Sequence, residues 1–147
     1  MNDIAFDEPL YPVAWRLNSK DCRLSVDEKG RIILLNAMQA QRLWDAIFPF
    51  SHLMEMPRSF CDVLEKRVLD FDDVERSSLF FIEKLQGVDS IDFLWGRRAG
   101  ATLPADVLVA AWDDFFYPSD ENSVIAIPNS DKLIFSYEEN FFYVRIS

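Results

Sequence analysis

Residues 106–146 read DVLVAAWDDFFYPSDENSVIAIPNSDKLIFSYEENFFYVRI and open with the pattern of an amphipathic helix. Apolar residues recur there at steps of three and four, the spacing of one buried helix face: Val107, Leu108, Ala111, Trp112 and Phe115. Pro104 precedes this segment, where its missing N–H does no harm, and Pro118 stops it. We therefore predict a helix from residue 106 to about residue 117.

Three strand-like runs follow the predicted helix. They are rich in β-branched and aromatic residues and cover residues 123–127, 133–137 and 141–146. Turn residues separate them at 129–131 and 138–140. This pattern predicts an antiparallel meander. Because so apolar a meander cannot stand alone in water, we expect its inner face to pack on the helix that carries Trp112.

The N-terminal segment is polar, acidic and interrupted by Pro9 and Pro12. It predicts an extended arm over residues 1–12, followed by a short strand at residues 13–17. The arm would dock on the rest of the chain through its larger apolar side chains, Phe6, Leu10 and Tyr11.

Residues 23–35 allow two interpretations. A hairpin could turn at residues 27–30, or a short helix could start with a capping box of Ser25 and Glu28. Gly30 weakens a helix and residues 32–35 suit a strand, so the hairpin is favoured.

Three further helices are predicted before residue 90. The first runs from an Asn36 cap to about residue 48, and the second runs from a Ser59 cap to about residue 69. The third runs from an Asp72 cap to about residue 86, although residues 79–80 leave a strand open for its middle.

The segment that follows these helices contains one clear strand. Residues 90–95 alternate like a strand, and residues 96–104, with two glycines and two adjacent arginines, read as a loop. No linker or repeat divides the chain, so we predict a single α+β domain over residues 1–147. Its sheet would be mainly antiparallel, with a C-terminal three-stranded meander packed against several helices that cover one face.

Charge limits the classes of partner. The formal net charge is −10 over 147 residues, which disfavours direct binding to nucleic acid or to an anionic membrane and favours a basic protein partner. Residues 101–147 hold eight acidic and two basic residues, so a third of the chain carries more than half of the excess charge. No apolar run reaches membrane-spanning length and no signal peptide is evident, so we expect a cytoplasmic protein with Cys22 and Cys61 as free thiols.

The sequence carries no catalytic signature. His52 is the only histidine and lies in a loop with Met and Pro neighbours, and no family signature surrounds either cysteine that it might activate. A metal on Asp113, Asp114, Asp120 and Glu121 would fit no established ligand spacing, and four glycines leave no phosphate-binding loop. We therefore expect a protein that is not an enzyme and that binds no cofactor or metal.

Aromatic side chains beside the C-terminal acids predict a partner-binding surface. Phe116, Tyr117 and one of Phe142 and Tyr143 cannot all point inward, so some should reach the surface among the carboxylates. A solvated turn at residues 120–122 is the competing interpretation. The candidate contact residues are Asp113, Asp114, Tyr117, Asp120, Glu121, Glu138 and Glu139.

The segment WDDFFYPSDEN at residues 112–122, together with the Tyr137-Glu138-Glu139 turn of the meander, resembles small uncharacterised proteobacterial proteins, some of them like immunity proteins of bacterial toxin systems. The resemblance implies a cytoplasmic inhibitor that neutralises a basic, nuclease-type toxin domain without chemistry of its own.

Two other functions stay open at this stage. One is an acidic regulator whose carboxylates mimic nucleic acid, and the other is an enzyme with a carboxylate-based site. We expect a monomer or a weak homodimer, because an edge strand could pair two copies.

Overall fold

Seven antiparallel strands form one sheet in the computed structural model, which describes residues 6–146. In chain order the strands are β1 (Ile33–Leu35), β2 (Cys61–Arg67), β3 (Ser90–Trp95), β4 (Gly100–Pro104), β5 (Ser123–Ala126), β6 (Lys132–Tyr137) and β7 (Asn140–Ile146). Their spatial order is β1-β4-β3-β5-β6-β7-β2. The edges of the sheet are therefore β1 and β2.

Helices pack on this sheet and connect its strands. They are α1 (Trp15–Asn18), α2 (Val26–Gly30), α3 (Ala37–Ile47), α4 (Val74–Lys84), α5 (Ala105–Ala110) and α6 (Trp112–Phe115), with a short 3₁₀ helix at Leu53–Glu55. The predicted α+β class, the antiparallel sheet and the C-terminal meander are confirmed.

Both faces of the sheet carry a hydrophobic core, which corrects the expectation that helices cover one face. One core holds Trp112 and Phe81 from α6 and α4, and the other holds Trp44 from α3 with Phe48 just after it. All four residues of β5 are buried, because alternate side chains enter opposite cores. β5 is thus buried on both sides, and helices must pack on each face of the sheet.

The predicted helix over residues 106–117 is split in two. Ala111 has φ −145° and ψ 43°, so α5 ends at Ala110 and α6 begins at Trp112. The predicted apolar stripe is buried as expected. Phe116 is also buried, because the chain becomes extended there and directs the ring between Phe81, Phe93 and Phe141. It is not available as a surface aromatic.

Several upstream predictions hold with small shifts. Asn36 caps α3 through a reciprocal pair of hydrogen bonds with Gln39. Residues 74–84 form the one helix α4, with Asp73 rather than Asp72 as its cap. The predicted arm is not extended, because residues 8–14 form turns in which the Tyr11 amide donates to the Asp7 carbonyl oxygen at 2.9 Å. Phe6 and Tyr11 pack on the core as expected, Leu10 is exposed, and residues 1–5 lie outside the described residues.

The interpretation of residues 13–35 was wrong in two places. Residues 13–17 form no strand, because helix α1 occupies Trp15–Asn18. The favoured hairpin is replaced by the alternative, α2, whose Ser25 and Glu28 form the capping box. The two reciprocal hydrogen bonds satisfy the first turn of α2, and Gly30 comes only at its last position.

The helix predicted at residues 59–69 is strand β2. The helical spacing of Cys61, Leu64 and Val68 did not mark a buried face, and β2 contains a bulge between Val63 and Glu65. Pairing with β7 over the full length of β2 decides the outcome. As a result Leu64 and Val68, which the helix would bury, are exposed.

The loop predicted at residues 96–104 contains strand β4, between β1 and β3. Its first residue, Gly100, is locally typical of a loop but allows close packing here, since a Cβ there would lie 2.8 Å from the Phe93 carbonyl oxygen.

Gly100→Ala should therefore lower the free energy of unfolding by about 2 kcal/mol, the range for overpacking. Urea denaturation measures the change. Ser90→Ala, at an exposed position of β3, should stay within about 0.5 kcal/mol, and equal losses in both variants would contradict the steric explanation.

Candidate functional site

One end of the sheet collects most of the predicted contact residues. The registers pair Ser123 with Ser136 and Tyr137 with Asn140, so residues 120–122 and the β6–β7 turn lie at the same end. The Ser136 hydroxyl lies 3.5 Å from the Asp120 carbonyl oxygen, which links the two segments. We call this region the acidic end and define it by Trp15, Tyr117, Glu121, Glu138 and Glu139.

Asp120 is an internal anchor beneath the acidic end. Arg16 donates to both of its oxygens at 2.8 Å, and the Tyr117 amide and the Ser123 hydroxyl donate to Oδ2 at 3.0 and 2.9 Å. Burial raises the pKa of this carboxyl, but the hydrogen bonds from Arg16 and Tyr117 outweigh burial and leave the pKa below its ordinary value. Asp120 therefore stays ionised and holds α1 against the start of β5.

Asp113 and Asp114 hold the chain before α2 in a similar way. The Arg23 amide donates to Asp114 at 2.9 Å, and the Arg23 guanidinium pairs with Asp113. Burial raises the pKa of Asp114, and it also raises the pKa of the neighbouring Cys22 thiol. Three of the predicted contact acids thus bind arginines of this same chain.

Tyr117 lies in a stack that includes a residue missed by the sequence analysis. The Arg16 guanidinium lies 3.9 Å from the centre of the Tyr117 ring, and Trp15 meets that ring edge-on at 5.9 Å. Trp15 is 52 % exposed. We did not predict Trp15 as a surface residue because residues 13–17 were assigned to a strand. The sequence signal that could have indicated it is the basic residue Arg16 next to a tryptophan in an acidic chain.

Glu138 and Glu139 form the tip of the β6–β7 hairpin. Their φ angles are 51° and 66°, so both occupy the left-handed region where glycine and asparagine are usual. Both side chains are exposed, as is Glu121. These three carboxylates make no ion pair with any residue between 6 and 146.

The residues considered for catalysis have structural contacts. His52 accepts a hydrogen bond from the Met54 amide at 3.1 Å through Nδ1 and so caps the 3₁₀ helix. Cys61 lies 3.7 Å from the Met56 sulfur, and both cysteines are free thiols. Among residues 6–146, no group of three or more His, Cys, Asp or Glu side chains is placed to hold a metal ion.

Two further findings come from outside this site. Over the described part of the chain, no helix has the length and apolar character needed to cross a bilayer. Comparisons with protein-family models, curated proteins and solved structures gave no match to this chain.

Proposed function

We propose that this protein is a non-catalytic binding domain that recognises a basic protein partner through its acidic end. The observation that carries the proposal is the Glu138-Glu139 turn. Two consecutive non-glycine residues occupy the left-handed region, at an energetic penalty of roughly 1 kcal/mol each. Strained positions of this kind concentrate at functional sites, and here the strain projects two carboxylates into solvent.

Trp15 supplies the second support for the proposal. Tryptophan is enriched at the centres of protein interfaces, because a large ring contributes contact area with little loss of conformational entropy. Its neighbour Arg16 is held by Asp120 and Tyr117, so α1 is fixed before any partner arrives. A preorganised aromatic anchor beside exposed carboxylates suits a partner that presents basic side chains.

The net charge of −10 extends the effect beyond contact distance. A field of this sign accelerates encounter with a basic protein and repels nucleic acid. The finer proposal, which rests on the resemblance to immunity-type proteins, is that the partner is a nuclease-type toxin domain. The acidic end would then cover the basic surface with which such a toxin holds its own substrate.

Replacing the turn by Asn-Gly tests the proposal, because it removes two charges and the strain together. Glu138→Asn/Glu139→Gly should raise the free energy of unfolding by about 1–2 kcal/mol, since Asn and Gly adopt this turn without penalty. The same variant, tagged and incubated with bacterial lysate, should lose a basic protein that the unaltered chain retains at low salt and releases at high salt.

The matched control is Asp89→Asn/Asp131→Asn, which makes the same charge change at the opposite end of the sheet. It should retain the captured protein. If both double variants retain it, or if the captured proteins are not basic, the acidic end is not the binding surface.

A further inference from the structure

A continuous row of side chains crosses the face of the sheet on which α3 packs. The registers place the following residues directly opposite one another, one from each strand: Ile33, Thr102, Asp92, Ala126, Leu133, Val144 and Val63. Directly opposed residues of an antiparallel pair point to the same face. Asp92 is the only charged residue in this row, and it lies on the interior strand β3, between β4 and β5.

α3 covers only part of this face. The neighbouring row, which includes Leu94, Val124 and Phe135, packs beneath Trp44 and Phe48. Where α3 ends, a cavity of about 160 Å³ lies between Leu43 and Ile47 on one side and the β5–β6 turn on the other.

The lining of this cavity is apolar apart from two groups. Asp92 and Ser130 are the polar lining residues, and the apolar ones include Leu43, Ile47, Ile127 and Ile146. Thr102 donates a hydrogen bond to Asp92 Oδ1 at 2.7 Å. Asp92 forms no ion pair with a Lys or Arg of residues 6–146, so Oδ2 remains free to accept from a ligand.

We propose that this cavity binds a guanidinium or ammonium group carried on a short alkyl chain. The cation would meet Asp92 Oδ2, and the alkyl chain would lie against Leu43, Ile47 and Ile146. The charge-assisted hydrogen bond would orient the ligand, and the apolar wall would contribute buried contact area, as is usual in small-ligand sites. The ligand is either a free alkyl cation or the side chain of an arginine or lysine on another protein.

The site is independent of the acidic end. The cavity lies beside the β5–β6 turn, whereas Glu138 and Glu139 occupy the β6–β7 turn at the other end of the sheet. A variant that loses partner binding at the acidic end can therefore still be tested for cation binding in the cavity, and the reverse also holds.

Titration of the ¹⁵N-labelled protein with butylguanidinium, followed by ¹H–¹⁵N NMR, tests the proposal. We expect saturable shifts at the amides of Leu43, Asp92 and Ile127, and no comparable shifts with butylurea, which has the same shape without the charge. Asp92→Asn should weaken binding by about tenfold, because it removes the charge and keeps an acceptor for Thr102. Ala126→Leu, which fills the cavity and leaves the carboxylate, should weaken binding as well.

Acetyl-arginine-amide, titrated in parallel, distinguishes the two sources of the ligand. Binding at least as tight as that of butylguanidinium supports a protein side chain, and weaker binding supports a free cation. Asp89→Asn, at an exposed site just before β3, is the control and should bind butylguanidinium unchanged. Equal binding of butylurea, shifts spread over the exposed acids, or unchanged affinity in Asp92→Asn would overturn the proposal.

Discussion

Asp120→Ala is expected to lower the free energy of unfolding by about 3 kcal/mol, the scale observed when one partner of a buried ion pair is removed. The side chains of Arg16 and Asp120 are 11 % and 12 % exposed, so water screens the pair poorly. The variant leaves the Arg16 guanidinium without its carboxylate and also removes the acceptor for the Tyr117 amide and the Ser123 hydroxyl. Urea denaturation followed by tryptophan fluorescence measures the loss.

A double-variant cycle separates the ion pair from the other hydrogen bonds of Asp120. Arg16→Met alone leaves the carboxylate without its cation, whereas Arg16→Met/Asp120→Ala removes both charges. The double variant should be more stable than the sum of the two single losses predicts. Additive losses would show that Arg16 and Asp120 act independently, contrary to the geometry.

The pH dependence of stability gives an independent check on Asp120. The pKa of Asp120 in the folded state lies below the ordinary value. Its contribution to the free energy of unfolding is therefore complete at a pH above the unfolded-state pKa, and it is lost as the pH falls through the folded-state pKa. Asp114 has the opposite sign, because burial raises its pKa and protonation on acidification favours the folded state. Asp120→Asn should therefore flatten the loss of stability below about pH 4, and Asp114→Asn should not.

Trp112→Ala is expected to cost about 4 kcal/mol, within the range for removing a large aromatic ring from a core. The ring is fully buried and lies 4.8 Å from Phe71, 5.4 Å from Phe81 and 5.9 Å from Phe141, centre to centre. It therefore joins α6, α4 and β7 in one cluster. Trp112→Ala leaves a large void between these three elements. They cannot move close enough together to restore the lost contacts.

Trp112→Phe is the matched control for this core position. It keeps an aromatic ring but removes the indole N–H, which donates to the Val74 carbonyl oxygen at 3.1 Å. We expect a loss of about 1–2 kcal/mol from the lost indole hydrogen bond and the smaller ring. Chemical denaturation of both variants measures the difference, and similar losses would indicate that the hydrogen bond rather than packing dominates.

Local sequence signals determined the elements whose stabilising contacts are close in the chain. Asn36 and Gln39 cap α3 within one turn, and the apolar stripe that includes Trp44 follows at helical spacing. The meander β5–β7 was predictable for the same reason, since short turns join its strands and its side chains are mostly β-branched or aromatic. Pattern and structure agree where partner residues lie a few positions apart.

Long-range pairing decided the elements that the sequence misassigned. β2 pairs with β7 across more than half of the chain, although its own apolar residues have a helix-like spacing. β4 pairs with both β1 and β3, and Gly100 permits their close approach, although glycine is locally typical of a loop. β2 gains its contacts from β7 and β4 gains part of its contacts from β1, and both of these partners are distant in the chain.

The candidate site divides along the same line. The sequence alone determined the negative charge and the concentration of acids in the last third. Only the tertiary structure decided which acids remain free, because Arg16 reaches Asp120 across 104 residues and the Arg23 amide reaches Asp114 across 91. The charge of a side chain is written in the sequence, but its neutralisation depends on which opposite charge the fold brings within hydrogen-bonding distance.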